Sequence, residues 1–300
     1  MGGLIVPAKM HEDELDTDEA LVRRLLAAQF PHWAELPIQA LPVGGTDNAI
    51  YRLGDELSVR LPRRADWAAG SLEKEFEWLP RLAPHLPLPV PKPVARGVPG
   101  DGFPHEWSVF AWLDGDDATG APIDLSRAAI DLAELLATLW RIDPAGGPPA
   151  QGHGGSLRPR DENTRAGIAA LGDLIDAAAV TAAWETALAA PEWDRPPVWI
   201  HGDLDLRNLL VADGRITGVL DWNSICVDDP ARDVKLAWAV LDAETRPVFR
   251  ELLDIDDATW ARSRGWAVSQ AMIALPYYLH TYPVMVEQAW RWLAEALDGC

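Results

Sequence analysis

The chain has 300 residues and 32.9 kDa, 48% of them apolar and 24% charged, a globular balance that excludes wholesale disorder. Its formal charge is −20, so the chain as a whole repels nucleic acid and anionic membranes and attracts cations. The two cysteines, Cys226 and Cys300, exclude a disulfide framework and a cysteine-rich zinc site, and no apolar run reaches the length of a bilayer span.

Residues 1–8 are weakly apolar but carry no basic n-region, so a cytoplasmic protein is expected. Asp16 and Glu19 have the spacing of a capping box. Leu21, Val22, Leu25, Leu26 and Phe30 follow at helical spacing, up to Pro31. Residues 49–53, Gly54-Asp55 and residues 56–61 read as a β-hairpin. Leu57, Val59 and Leu61 alternate onto one face of it, and Ser58 and Arg60 onto the other. Residues 72–82 read as a helix. Seven prolines between Pro84 and Pro104 exclude a helix there and favour extended segments and turns.

Residues 107–113 read as a strand, which Asp114-Gly115-Asp116-Asp117 breaks. Strand-type sequence then gives way to helix-type sequence, which divides the chain into residues 1–113 and 114–300. Residues 124–140 have helical spacing, 145–160 form a Gly- and Pro-rich loop, and 163–190 are alanine-rich and helical. Residues 231–298 are mostly helical. Fifteen tryptophans occur without a repeat and suit a core or a pocket wall.

Residues 198–221 carry the chemistry. A short apolar strand leads through His201-Gly202-Asp203 into a polar loop, and a second strand follows Asn208. Asp213-Gly214 then makes a tight turn into a return strand that ends at Asp221. A turn centred between Asp213 and Gly214 sets Asn208 opposite Val219, which brings Asp221 beside the loop holding Asp203. Two carboxylates and a carboxamide thus converge from spacing alone. Asp203 and Asn208, five apart, have the spacing of a kinase catalytic loop, where the aspartate accepts the proton of an attacking hydroxyl and the asparagine binds metal. Asp221 suits the carboxylate that chelates a nucleotide-bridging magnesium ion.

The run His201-Gly202-Asp203-Leu204, Asn208, Gly218-Val219-Leu220-Asp221-Trp222, Asp229-Pro230-Ala231 and Asp233 resembles the aminoglycoside phosphotransferase family, which includes macrolide phosphotransferases. The resemblance runs from about Leu41 to Trp292 and is strong over residues 198–238. It implies an α+β, bilobal, protein-kinase-like fold: a small antiparallel-sheet lobe, a mainly helical lobe, and nucleotide bound between them. It also implies transfer of the γ-phosphate of ATP or GTP, with Mg2+, to a hydroxyl of a small molecule such as an aminoglycoside antibiotic, with a macrolide, nucleoside or metabolic alcohol as the alternative acceptor. Asp203 then resembles the base, Asn208 and Asp221 the metal ligands, and His201 and Asp233 groups that hold the loop.

Elsewhere the resemblance assigns further roles. Gly44-Gly45-Thr46-Asp47-Asn48 resembles the loop over the nucleotide phosphates, and Phe110 to Leu113, with Trp112, the hinge at the purine. Arg60 stands where such kinases carry a lysine for the α/β-phosphates, and none of the four lysines lies near that register. Glu75 resembles its ion-pair partner, with Glu73 and Glu77 one step to either side. Asp205, Arg207, Asp228 and Glu287, with Trp266, Tyr277, Tyr278, Tyr282 and Trp290, are candidates for the acceptor pocket. The carboxylates suit an aminoglycoside and the aromatics a macrolide or nucleoside, while Arg207 argues against a strongly cationic ligand beside the loop. The arginine at position 60 also leaves open a nucleotide-binding pseudokinase.

Overall fold

Short strands punctuated by polar turns build the first part of the chain, and amphipathic helices build most of the rest. The computed structural model describes residues 14–41, 47–64, 71–150 and 155–298. The chain divides into two compact units, residues 1–84 with 89–114, and residues 85–88 with 115–300.

The first unit opens with the helix Glu19–Gln29, capped by Asp18, whose carboxylate accepts the Leu21 amide at 2.7 Å. The expected cap, Asp16, lies two residues too early. Leu21, Val22, Leu25 and Leu26 form the buried stripe of this helix. They pack on one sheet made of β1 (Ile38–Ala40), β2 (Asn48–Leu53), β3 (Leu57–Pro62), β4 (Pro93–Gly97) and β5 (Trp107–Ala111). The strand order is β1-β2-β3-β5-β4, every pair antiparallel.

The predicted hairpin is β2–β3, with Leu53 opposite Leu57. Its loop therefore takes in Glu56 besides Gly54-Asp55, and Gly54 enters it at φ +59°. Tyr51, Leu53, Val59, Leu61, Trp107 and Val109 meet the helix in the core. Each such large apolar side chain contributes about 1.5–3 kcal/mol by leaving water. Strand β4 lies inside the proline-dense stretch, at the sheet edge where a missing N–H costs least. The helix Ser71–Leu82 follows β3, as its spacing predicts.

The second unit is mostly helical. Helix Leu125–Arg141 is capped by Asp124 and buries Leu132, Leu135, Leu136 and Leu139. The alanine-rich helical stretch is two helices, Asp161–Leu171 and Ala177–Ala189. Gly172 breaks it at φ +50°, and Asp176 caps the second helix by accepting the Ala179 amide at 3.0 Å. Helices Asp257–Tyr278 and Pro283–Asp298 complete the unit. Among the described residues no helix is long and apolar enough to cross a membrane.

Five short strands stand among these helices. They are β6 (Asp116–Asp117), β7 (Val198–Ile200), β8 (Leu209–Ala212), β9 (Arg215–Val219) and β10 (Cys226–Asp228). Asp116 and Asp117, expected only to break a strand, pair with Val211 and Leu210 of β8. Strand β10, not visible in the sequence, pairs antiparallel with β7.

Candidate active site

The catalytic-loop candidates sit between β7 and β8. Asp213 (φ +50°) and Gly214 (φ +76°) both take left-handed backbone, which gives the β8–β9 hairpin its tight turn. A bulge between Leu210 and Val211 shifts the ladder, so Leu209, not Asn208, stands opposite Val219. Asn208 is one step further along, where its carbonyl accepts the Leu220 amide at 2.8 Å. Asp221 is the next residue, in left-handed backbone at φ 59°, ψ 67°, a conformation aspartate tolerates better than most side chains. The register correction therefore keeps Asn208 and Asp221 adjacent.

The loop itself is pinned by its backbone. Asp233, fully buried, accepts the His201 amide at 2.6 Å and the Gly202 amide at 2.7 Å. Burial nevertheless pushes its carboxyl upward, against the pull of His201. Gly202 turns at φ +88°, and a Cβ there would stand 2.8 Å from the Ser224 carbonyl oxygen and 3.4 Å from the Arg232 guanidinium carbon. His201 is buried against Trp222, with ring centroids 4.6 Å apart. Its Nδ1 accepts the Asp203 amide at 3.2 Å, so Nε2 carries the proton and donates to the Leu220 carbonyl at 2.8 Å. Both ring nitrogens are thereby satisfied in the neutral form, and burial holds the imidazole below its usual range.

Asn208 donates Nδ2 to the Asp203 carbonyl at 2.8 Å, which leaves Oδ1 as the oxygen it can offer. With the Asp221 carboxylate this is a hard, all-oxygen pair, the kind magnesium shares with nucleotide phosphates. Among the described residues there is no cluster of three or more His, Cys, Asp or Glu side chains poised for a metal. The residues present suit an ion that takes its remaining ligands from phosphate and water.

Asp203 is about a third exposed, at 34%, and has two cations at its carboxylate. Lys235 Nζ is 3.7 Å from Oδ1 and Arg207 Nη2 is 3.8 Å from Oδ2. Burial works to raise the Asp203 carboxyl, but Lys235 and then Arg207 outweigh it and hold the group below the usual carboxylate range. Lys235 is itself fully buried, donates to Gln270 Oε1 at 2.6 Å and lies 5.4 Å from the Trp292 ring centroid. Burial lowers its ammonium, in part offset by Asp203 and Asp205. Sequence reasoning missed it; the readable signal was one lysine inside the apolar run Val234-Lys235-Leu236-Ala237-Trp238.

Asp205 is fully buried and faces inward. It caps the 3-10 turn Leu206–Asn208 and pairs with Arg207 Nη2 at 2.5 Å, with the Arg207 amide at 2.9 Å. Its carboxylate is engaged within the loop. Asp228, on β10 opposite Val198, accepts the Gly155 amide at 2.6 Å, and burial raises its carboxyl. It lines a cavity of about 300 Å³ with Trp193, Glu192 and Arg262. Trp266 is buried, with the Arg160 and Arg232 guanidiniums at 4.7 and 5.5 Å from its ring centroid. Tyr277 stacks edge-on against Tyr278 at 4.7 Å, and Tyr278 against Tyr282 at 5.8 Å.

In the first unit Arg60 Nη1 meets Glu75 Oε1 at 3.3 Å, which picks Glu75 from the three glutamates; Glu77 pairs with Arg81 instead. The Arg60 guanidinium also lies over Phe110, 4.1 Å from the ring centroid. Phe110 is fully buried on the interior strand β5. The Ala111 amide donates to Lys92 and the Trp112 amide to Glu56, at 2.9 and 2.7 Å, so these hinge donors are engaged within the sheet. Asn48 begins β2, opposite Pro62. Gly44, Gly45 and Thr46 lie outside the described residues.

Comparison with known proteins gives the site its context. The profile of a family described as "Phosphotransferase enzyme family" matches residues 37–266. The chain is 28% identical over 254 residues to an aminoglycoside 3'-phosphotransferase of Streptomyces fradiae, a match covering 77% of this chain and 88% of that one. It is 26% identical over 215 residues to the uncharacterized protein YcbJ of Bacillus subtilis, covering 68% of this chain and 66% of that one. Among solved structures, the GDP and kanamycin complex of APH(2")-IIia superposes with TM-score 0.72 at 19% identity, covering 93% of this chain and 98% of that chain. The macrolide 2'-phosphotransferase MphH of Brachybacterium faecium superposes with TM-score 0.59 at 25% identity, covering 92% and 97%.

Proposed function

Since the chain belongs to this phosphotransferase family, we propose that it moves the γ-phosphoryl group of ATP or GTP onto a hydroxyl of a small molecule, with Asp203 as the base. The observation that supports the reading is the hydrogen bonding that ties Asp203, Asn208 and Leu220, the residue before Asp221, together at one end of the β8–β9 hairpin. Asn208 holds the Asp203 carbonyl, and its own carbonyl receives the amide next to Asp221.

Each group has a distinct task. The acceptor hydroxyl donates its proton to the Asp203 carboxylate as its oxygen bonds to the γ-phosphorus and the bond to the β-phosphate oxygen breaks. With Lys235 and Arg207 beside it, Asp203 is a weak base. Its contribution is therefore orientation of the hydroxyl and late acceptance of the proton, which suits a loose phosphoryl-transfer transition state. Asn208 Oδ1 and the Asp221 carboxylate would hold Mg2+, which when bound offsets the charge of the nucleotide phosphates. Arg60, fixed by Glu75 and Phe110, would reach the α/β-phosphates as a fork rather than as a point charge.

The named relatives make aminoglycosides and macrolides the acceptors to assay first, and resistance in a susceptible host is the matching phenotype. The deciding experiment measures nucleoside diphosphate release from ATP and GTP with magnesium across an acceptor panel. Asp203→Asn should lower turnover by about three orders of magnitude or more while nucleotide binding persists. Undiminished turnover in that variant would remove Asp203 from the mechanism.

A further inference from the structure

Around the catalytic loop the acids are already engaged by the protein. Asp233 takes the His201 and Gly202 amides, Asp205 takes Arg207, Asp228 takes the Gly155 amide, and Asp203 has Lys235 and Arg207 beside it. Two guanidiniums in the same region have no carboxylate within ion-pair distance, although the Arg232 charge is felt by Asp203, Asp228 and Asp233. Among the described residues neither Arg160 nor Arg232 forms an ion pair with a carboxylate. The one side-chain hydrogen bond of Arg160 runs from Nε to Ser269 Oγ at 2.8 Å. The Nε of Arg232 is buried with no protein acceptor, and so is the indole Nε1 of Trp266, the ring both guanidiniums approach. Among the described residues no hydrogen bond engages an Nη nitrogen of either arginine.

This arrangement runs against the composition of the chain. In a protein with a formal charge of −20, two arginines stand together on one indole, and among the described residues no acid lies within ion-pair distance of either. Burial and the neighbouring Arg232 lower the Arg160 guanidinium to about 10. The Arg232 guanidinium also abuts Gly202, the residue just before the catalytic aspartate. Guanidinium nitrogens that no protein group engages are available to acceptors brought by a ligand.

We propose that Arg160 and Arg232 bind an anionic group, a carboxylate or a phosphate, carried by the hydroxyl-bearing acceptor of the reaction. The inference rests on the phosphotransferase reading, because only then does the neighbour of Asp203 have an acceptor to hold. Guanidinium forks, planar by resonance, suit the paired oxygens of either anion, and the Trp266 ring orients them. A polycationic acceptor would meet the opposite arrangement, with arginines open and carboxylates occupied.

The test is calorimetric titration of the full-length protein, saturated with magnesium and nucleoside diphosphate so that the donor site is filled. The probes are glycerate, glycerol 3-phosphate and kanamycin. One of the two anions should bind, kanamycin should not, and the tighter anion identifies carboxylate or phosphate. Arg160→Gln with Arg232→Gln should weaken that binding at least tenfold with nucleotide affinity unchanged. Arg232→Lys, which keeps the charge and loses the fork, should fall between, and melting temperatures verify that each variant is folded. Binding of kanamycin alone, equal anion binding by the double variant, or a loss of nucleotide affinity in its place overturns the proposal. Asp203→Asn should retain anion binding. If wild-type protein binds the anion yet transfers phosphate to no acceptor, the phosphotransferase reading fails while the anion site stands.

Discussion

The Lys235 ammonium lies 3.7 Å from Asp203 Oδ1, fully buried and anchored by Gln270 at 2.6 Å. A buried lysine carries a desolvation cost, which the neighbouring carboxylates Asp203 and Asp205 offset only in part. In return the carboxylate proposed as base has a fixed neighbour on the side of Oδ1, while Arg207 stands on the side of Oδ2.

Lys235→Met removes the charge while filling similar volume. The stability change should stay within about 1–2 kcal/mol, because Asp203 keeps Arg207 and some solvent. Turnover should fall about 10–100-fold through a loosened carboxylate, with the nucleotide KM unchanged. In an Asp203→Asn background the same change should do little more, since the partner it acts through is gone. Steady-state kinetics of the four proteins give the comparison. Additive losses would make Lys235 a packing residue.

Acid should open the loop through His201. The folded protein holds this imidazole neutral, below the ordinary value of 6.5. The unfolded chain therefore binds more protons in the window just below 6.5, so stability is present above that pH and declines as pH falls through it. A proton on Nδ1 also removes the acceptor of the Asp203 amide. Melting temperature should drop between pH 7.5 and 5.5, and His201→Gln should flatten that slope. An equally steep slope in the variant would assign it to other groups.

Asp221→Asn separates backbone from charge. Asparagine tolerates the left-handed conformation at φ 59°, so folding should be little affected. The magnesium concentration giving half-maximal activity should rise at least about tenfold with one anionic ligand gone. Asn208→Ala should raise it too and also lower the melting temperature, because it deletes the bond to the Asp203 carbonyl.

Arg60→Met keeps an unbranched stem over Phe110 and leaves Glu75 without its guanidinium. The nucleotide KM should rise about tenfold or more, with a smaller effect on kcat. Arg60→Lys should recover only part of the loss, since a point charge does not reproduce the fork. Full activity of Arg60→Met would leave the arginine with a sheet-packing role alone.

What the sequence made legible was local. The Asp203–Asn208 spacing, the Asp213-Gly214 turn and the strand ending at Asp221 are set by neighbours in the chain, and the structure has them close to where spacing put them. The bulge at Leu210/Val211 moved the register by one residue without separating Asn208 from Asp221. What stayed hidden depends on distant segments. Lys235 meets Gln270 across 35 residues and Arg160 meets Ser269 across 109, so neither relationship leaves a periodic trace. Strand β10 is three residues long and exists only through its pairing with β7. The cap at Asp18 rather than Asp16 shows the limit of motif spacing where several acids crowd one turn.

Asp233 grips two main-chain amides and no side chain of the segment it holds. It therefore reads the path of the polypeptide and is indifferent to the lettering on it. Mutational drift along this stretch is constrained very unevenly as a result. An acid must persist at 233, and nothing larger than hydrogen fits on the α-carbon at 202, yet the bonds between them place no demand on other identities. Libraries built to alter what the chain accepts can vary the neighbours of this clasp that carry no role of their own, leaving 202 and 233, and with them His201, Asp203 and Asn208, untouched.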